Sequence, residues 1–237
     1  NFHDGPLPRY AGLNAPSWAI LNGERDYAIS WHVMTDKVDE GDILKQHPVL
    51  ISDQETSFTL NAKCHDAAYE SFVELIDELA SSSETRFQKE LTQRTHFGCY
   101  KKPNDAGIFD WQQPAKQISA TIRALDFGPY FNPLCLAKII SGEEVLTVTS
   151  VEILDTTSDK APGTIVSIDN DRVQVSSQTQ DLVLSKLRPL PGSHYSADQL
   201  YTLPSLQVGQ QLGSLNLGSS VLARLRLDDV GDRAVLG

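Results

Sequence analysis

Asn1 and His3 stand two residues apart at the start of a 237-residue chain, a spacing that on a strand turns both side chains to one face. With a carboxylate added, the set suits acyl transfer to an amine. A side-chain amide such as that of Asn1 can hold a carbonyl oxygen as it becomes negative. An imidazole such as that of His3 works near neutral pH and can accept or relay the amine's proton. The carboxylate then orients that ring and stabilises its charged form. Asp42, which leaves a loop at the start of a following strand, is the residue assigned to this role. Asp39 beside it completes a carboxylate pair, but no metal-ligating set surrounds the two and a metal is not expected. Asp39 reads as shaping the loop. His32 sits on a strand and reads as structural, while His47, His65, His96 and His194 belong to no constellation.

The elements that must position these groups follow from hydrophobic periodicity. Asn1 to His3 reads as the end of a strand. Pro16 suits a first helical turn, Trp18, Ile20 and Leu21 give that helix apolar mass, and Gly23 stops it. Tyr27 to Met34 and Ile43 to Ile51 read as strands joined by the polar loop TDKVDEG. Thr56 to Ala80 is the clearest helix, with Phe58, Leu60, Cys64, Ala68, Phe72, Leu75, Ile76 and Leu79 recurring at helical spacing. This order is the texture of the second half of an α/β sheet, whose remaining strands would lie upstream of Asn1.

After Tyr100 the pattern changes. IFDWQQPAKQISATIRAL reads as a short amphipathic helix with Pro114 in its first turn. The runs LCLAKII, EVLTVTSVEIL, GTIVSI, RVQVSS and DLVLSKL are short strands with turn signals at Ser141-Gly142 and Asp169-Asn170, and suggest a small OB-like β-barrel. From Ser193 the chain is rich in Gly, Ser and Leu and reads as a linker or the start of another module. Lys101 and Lys102 read as solvated surface.

Three blocks carry a family likeness: N-x-H-x-x-x-L-P-R-Y-x-G from Asn1, PSWAILNGE from Pro16, and D-x-G-D-I from Asp39. In this order they resemble the folate-dependent formyltransferase family. The resemblance implies that Asn1, His3 and Asp42 match the family's catalytic Asn, His and Asp. It sets Gly5, Pro6, Leu7 and Pro8 in the loop beside the tetrahydrofolate, and Asp39 and Gly41 in the segment near the pterin. Many relatives have Ser and Leu where this chain has Gly5 and Pro6. The likeness continues through YKKPNDAGIFDW and IRALDFGPYFNP into the family's carboxyl-terminal barrel.

The implied fold is the carboxyl-terminal half of a Rossmann-like formyltransferase domain over 1–94, an OB-like barrel over 95–192, and a tail over 193–237. The implied reaction moves a formyl group from 10-formyltetrahydrofolate to a primary amine. NAPSWAILNGE and ISWHVMTDKVDEGDIL look most like the formylation domains of nonribosomal peptide synthetases, whose acceptor would be an aminoacyl group on a carrier protein. The alternatives are methionyl-tRNA, an amino sugar, or a non-catalytic binding or docking module.

Charge and composition narrow these choices. A net charge of −11 and a pI near 4.9 repel phosphate backbones, which disfavours a tRNA partner. Cys64, Cys99 and Cys135 are odd in number and far apart, which suits a reducing cytoplasm and not a disulfide framework. No apolar run is long enough to cross a bilayer. The first residue is Asn1 and not Met, so the chain is expected to begin inside a longer polypeptide.

Overall fold

The computed structural model describes residues 1–190 and 197–213. Its described residues divide into two compact units, one made of 1–102 with 123–134 and the other of 103–122 with 135–190 and 197–213. The first boundary, expected after residue 94, falls after Lys102, and 123–134 belong to the first unit.

In the first unit, β1 (Phe2–His3), β2 (Ala11–Gly12), α1 (Ala15–Leu21), β3 (Asp26–His32), β4 (Ile43–Leu50), α2 (Ser57–Ala80) and β5 (His96–Phe97) follow in order. The main sheet runs β1-β3-β4 and both of its pairings are antiparallel. The parallel arrangement expected of a Rossmann-like half is therefore not what this sheet shows. The loop from 33 to 42 turns the chain straight back, whereas a parallel partner needs a crossover of about a dozen residues or more. β2 and β5 form a short parallel pair. Tyr10, Phe97 and Trp18 stack in a column with ring centroids 5.7 and 4.7 Å apart. Lys101 caps that column with its ammonium 4.5 Å from the Phe97 ring, and Lys102 donates to the Pro133 carbonyl at 2.5 Å. Both lysines are exposed, as expected, and each also makes one of these contacts.

α2 begins at Thr56, whose hydroxyl accepts the Thr59 N–H while Thr59 Oγ1 accepts the Thr56 N–H, a reciprocal cap. Its first turn is tied to the returning segment: Ser57 Oγ donates to the Ala124 carbonyl, Phe58 N–H to the Asp126 carbonyl, and Arg123 to the Glu55 carbonyl. The buried face is Leu60, Cys64, Ala67, Ala68, Ser71 and Leu75, mostly small residues that let the helix lie close to the sheet. Phe58, Phe72, Ile76 and Leu79, expected on that same stripe, are 38–45% exposed and join Tyr69 and Val73 in a second apolar strip. Helical spacing alone did not separate the two faces, because apolar residues occupy most of the helix circumference.

The second unit holds most of α3 (Ala115–Ala124), then β6 (Lys138–Ser141), β7 (Glu144–Thr147), β8 (Ser150–Ile153), β9 (Ile165–Asp169), β10 (Arg172–Val175), β11 (Leu182–Ser185) and β12 (Arg188–Pro189). The turn signals at Ser141-Gly142 and Asp169-Asn170 lie at the tight hairpins β6–β7 and β9–β10. The strands make two open sheets, β8-β11-β10-β9 and β12-β7-β6, and no closed barrel forms among the described residues. The run EVLTVTSVEIL, read as one strand, breaks at Val148-Thr149 into β7 and β8, which go to different sheets. Residues 197–213, read as part of a linker, instead bury Leu200, Leu203, Leu206 and Leu212, and Gly213 N–H donates to Ile140. The rest of that tail, 193–196 and 214–237, lies outside the described residues. None of the described helices is long and apolar enough to cross a membrane.

The two faces of α2 should respond differently to truncation. Leu60→Ala is expected to cost about 2–5 kcal/mol through a core cavity, and Val73→Ser, 57% exposed, within about 1 kcal/mol. Urea denaturation midpoints of the two variants check this.

Candidate active site

The site starts from strand register. β1 and β3 pair with Phe2 opposite Trp31 and His3 opposite Ser30, and the His32 N–H donates to the Asn1 carbonyl at 2.9 Å. Alternation along both strands then turns Asn1, His3, Ser30 and His32 to a common face. Asn1 Nδ2 lies 3.1 Å from His32 Nε2. His32 Nδ1 lies 3.0 Å from the Val33 carbonyl, which can only accept, so Nδ1 carries the hydrogen. In the neutral ring Nε2 accepts from the Asn1 amide; only in the charged ring does Nε2 carry a hydrogen that Asp39 can accept. The bond from Asn1 to the neutral ring leaves the second Nδ2 hydrogen of Asn1 free for a reacting oxygen.

His3 is fixed by the same reasoning. Its Nε2 lies 2.8 Å from the Tyr10 carbonyl and must donate to it. Nδ1 is thus the nitrogen that can exchange a proton. It lies 3.7 Å from Asp39 Oδ2 and 3.9 Å from Asp4 Oδ1. The expected partner, Asp42, is placed differently. Its carbonyl accepts the Val33 N–H at 2.9 Å, and its charge acts on Lys89. No contact joins the Asp42 carboxylate to His3 among the described residues; the carboxylates near His3 Nδ1 are those of Asp39 and Asp4. The loop turns back within residues 33–42, and that turn carries Asp39 inward with φ 56°.

Asp39 is 8% exposed. One oxygen accepts the Gly12 N–H at 2.8 Å and the other lies 3.4 Å from His32 Nε2. Burial would push this carboxyl up, but the His32 ring, the Gly12 N–H and the charge of His3 outweigh it and hold the group well below its usual range. Gly12 must be glycine: its φ is +97°, and a Cβ there would stand 2.3 Å from the Phe97 carbonyl oxygen. Lys89 donates to the Asp39 carbonyl at 2.7 Å and Arg94 to the Val38 carbonyl at 3.2 Å, which clamps the loop from a third segment. A Cβ on Gly41 would lie 1.9 Å from the Val33 carbonyl oxygen, so this glycine serves the turn itself.

The other residues of the expected cofactor loop pack inward. Gly5 leaves room beside the imidazole, where a Cβ would stand 3.0 Å from His3 Nε2. Ser30 Oγ donates to the Gly5 carbonyl and accepts from Leu7 N–H and from Gln46 Nε2. The Leu7 side chain is buried with Ala11 and Ile43, while Pro6 and Pro8 are partly exposed. Arg9 and the Tyr10 hydroxyl both reach Glu24 Oε1, at 2.9 and 2.8 Å, and Asn22 donates to the same hydroxyl. These bonds are the physical tie between the blocks LPRY and NGE. Burial pushes the Tyr10 phenol up to about 12, so it stays a donor. His32, Lys89, Ser30 and Gln46 were not among the expected site residues. For His32 a signal existed, because it lies on the strand that leads into the acidic loop. No group of three metal-ligating side chains occurs among the described residues.

An amide donor, a buried imidazole and a carboxylate beside it thus lie together on a mixed α/β scaffold. Residues 1–76 match the formyl transferase family model, and 102–203 match that of the formyl transferase C-terminal domain. The chain belongs to the formyl transferase family. Among solved structures it is similar to an N-formyltransferase from Helicobacter canadensis in complex with folinic acid and dTDP-3-aminofucose. That match has TM-score 0.62 and 16% identity, over 78% of this chain and 65% of the other. It is also similar to WlaRD, a sugar 3N-formyl transferase seen with dTDP and 5-N-formyl-THF (TM-score 0.64, 18% identity, 81% and 65% covered). HypX from Aquifex aeolicus in complex with tetrahydrofolic acid gives TM-score 0.65 at 15% identity, over 89% of this chain and 36% of that one. The chain thus spans just under two thirds of the first two structures and about a third of HypX.

The depressed Asp39 carboxyl makes a pH-dependent stability difference testable. Because its folded value lies below the ordinary 3.8, its contribution is present above about 3.8 and lost as the pH falls through the folded value. Asp39→Asn should melt below the parent at pH 7, with the gap closing below about pH 4, as measured by thermal unfolding across pH.

Proposed function

We propose that this chain forms the catalytic face of an enzyme that transfers a formyl group from 10-formyltetrahydrofolate to a primary amine. The observation that carries the reading is the His3 ring, with Nε2 tied to Tyr10 and Nδ1 facing Asp39 at 3.7 Å. The amine nitrogen attacks the formyl carbon, and the free hydrogen of Asn1 Nδ2 donates to the oxygen as it becomes negative. His3 Nδ1 takes the proton lost by the amine. When the C–N bond to the folate breaks, that proton goes to the leaving nitrogen, so no net proton is consumed. Asp39 stabilises the imidazolium, and His32 positions Asn1. The folates in the three similar structures support the donor, with Gly5, Pro6, Leu7, Pro8, Asp39 and Gly41 as the segments set beside it.

The acceptor is an amine, and its class divides the support. The blocks NAPSWAILNGE and ISWHVMTDKVDEGDIL speak for an aminoacyl group on a carrier protein. The two similar sugar N-formyltransferases speak for a nucleotide-linked amino sugar. A charge of −11 speaks against tRNA. Offering the three acceptors in competition to the complete polypeptide with formyl donor identifies the one formylated.

In the complete polypeptide, His3→Ala and Asp39→Asn are expected to lower formyl transfer by about 100- to 1,000-fold, while Asp42→Asn stays within a few-fold of the parent. Steady-state rates with formyl-folate decide it, and the reverse order of Asp39 and Asp42 would reassign the carboxylate.

A further inference from the structure

The geometry points to Asp4 as a second carboxylate serving the His3 ring, a positioning residue that helps to stabilise the imidazolium formed during transfer. It rests on the formyl-transfer reading given above. Asp4 Oδ1 lies 3.9 Å from His3 Nδ1, beside the 3.7 Å approach of Asp39 Oδ2 to the same nitrogen. Since Nε2 is committed to the Tyr10 carbonyl, both acids face the one nitrogen that gains and loses a proton. When Nδ1 is bare, its lone pair meets two acids; once it is protonated, its charge meets both.

The two acids are held differently. One oxygen of Asp39 accepts the Gly12 N–H, the other lies 3.4 Å from His32 Nε2, and its side chain is 8% exposed. The Asp4 side chain is 24% exposed. Its Oδ2 accepts from Asn61 Nδ2 at 3.3 Å, and its carbonyl accepts from the Tyr27 hydroxyl and the Cys64 thiol. That leaves Oδ1 turned to His3. The other titratable groups around the pair are His65 and Cys64 on α2, Tyr27 on β3, and His32 across Asp39. Burial raises the Asp4 carboxyl, whereas Asp39 is held low. As the pH falls, Asp4 is therefore the first of the two acids to be neutralised, and its state modulates a site whose fixed charge is Asp39.

The test follows the ring and not the product alone. In the complete polypeptide, the His3 ring proton signal is assigned by its loss in His3→Gln and titrated by NMR. Asp4→Asn is expected to move the half-titration point down by about 0.5–1 pH unit, and Asp4→Glu to restore most of it. The acid limb of kcat/KM should move in the same direction. Asp4→Ser serves as the second neutral variant, so that a folding defect in one substitution does not decide the outcome. An unchanged ring titration in whichever neutral variant folds overturns the assignment of Asp4. If the parent transfers no formyl group while the ring titration still moves, the coupling stands and the formyl-transfer reading falls. If transfer proceeds and the titration stays put, Asp4 falls alone.

Discussion

The Asp39 carboxylate is the constraint around which the first unit is arranged. It lies between two imidazoles, accepts a backbone N–H from Gly12, and is almost removed from solvent. A buried carboxylate left uncompensated is costly, so every feature that delivers a partner to it is tied to a specific residue type. Gly12 brings its N–H inward only because it has no Cβ against Phe97. Gly41 lets the loop pass under Val33, and Lys89 holds the loop backbone from outside. A hydrogen bond between short, distant segments thus couples the LPRY-x-G block to the D-x-G-D-I block.

The same economy explains the scaffold. Two residues of β1 suffice to place Asn1 and His3 because β3 sets their register and supplies Ser30 and His32 on the same face. Ser30 then ties three segments through one hydroxyl, with no apolar contact doing that task. Behind the sheet, the small residues of α2 allow close approach, and Ser71 takes the Trp31 indole N–H at 2.9 Å. The first turn of α2 is held in turn by the segment that returns at 123–134. In the second unit, tight hairpins are local decisions, while the split of β7 from β8 directs the strands to two open sheets.

Much of this was legible in sequence, for a physical reason. Period-2 and period-3.6 patterns, proline at a helix start and glycine at a turn are local, so β1, β3, β4, the start of α1 and the length of α2 follow from neighbours along the chain. The Asn-x-His spacing fixes a shared face by strand geometry alone, and the ordered blocks fixed the family. Long-range facts were not available in this way. Asp39 and Asp42 are three residues apart on a polar loop, and nothing local says which one the turn carries inward. Only the position of the Gly12 N–H and of His32 selects Asp39. Which apolar stripe of α2 meets the sheet, whether paired strands close into a barrel, and which residue stands beside each nitrogen of His3 depend on segments far apart in sequence. Those choices belong to packing, because burial and hydrogen-bond satisfaction are settled between elements and not within them.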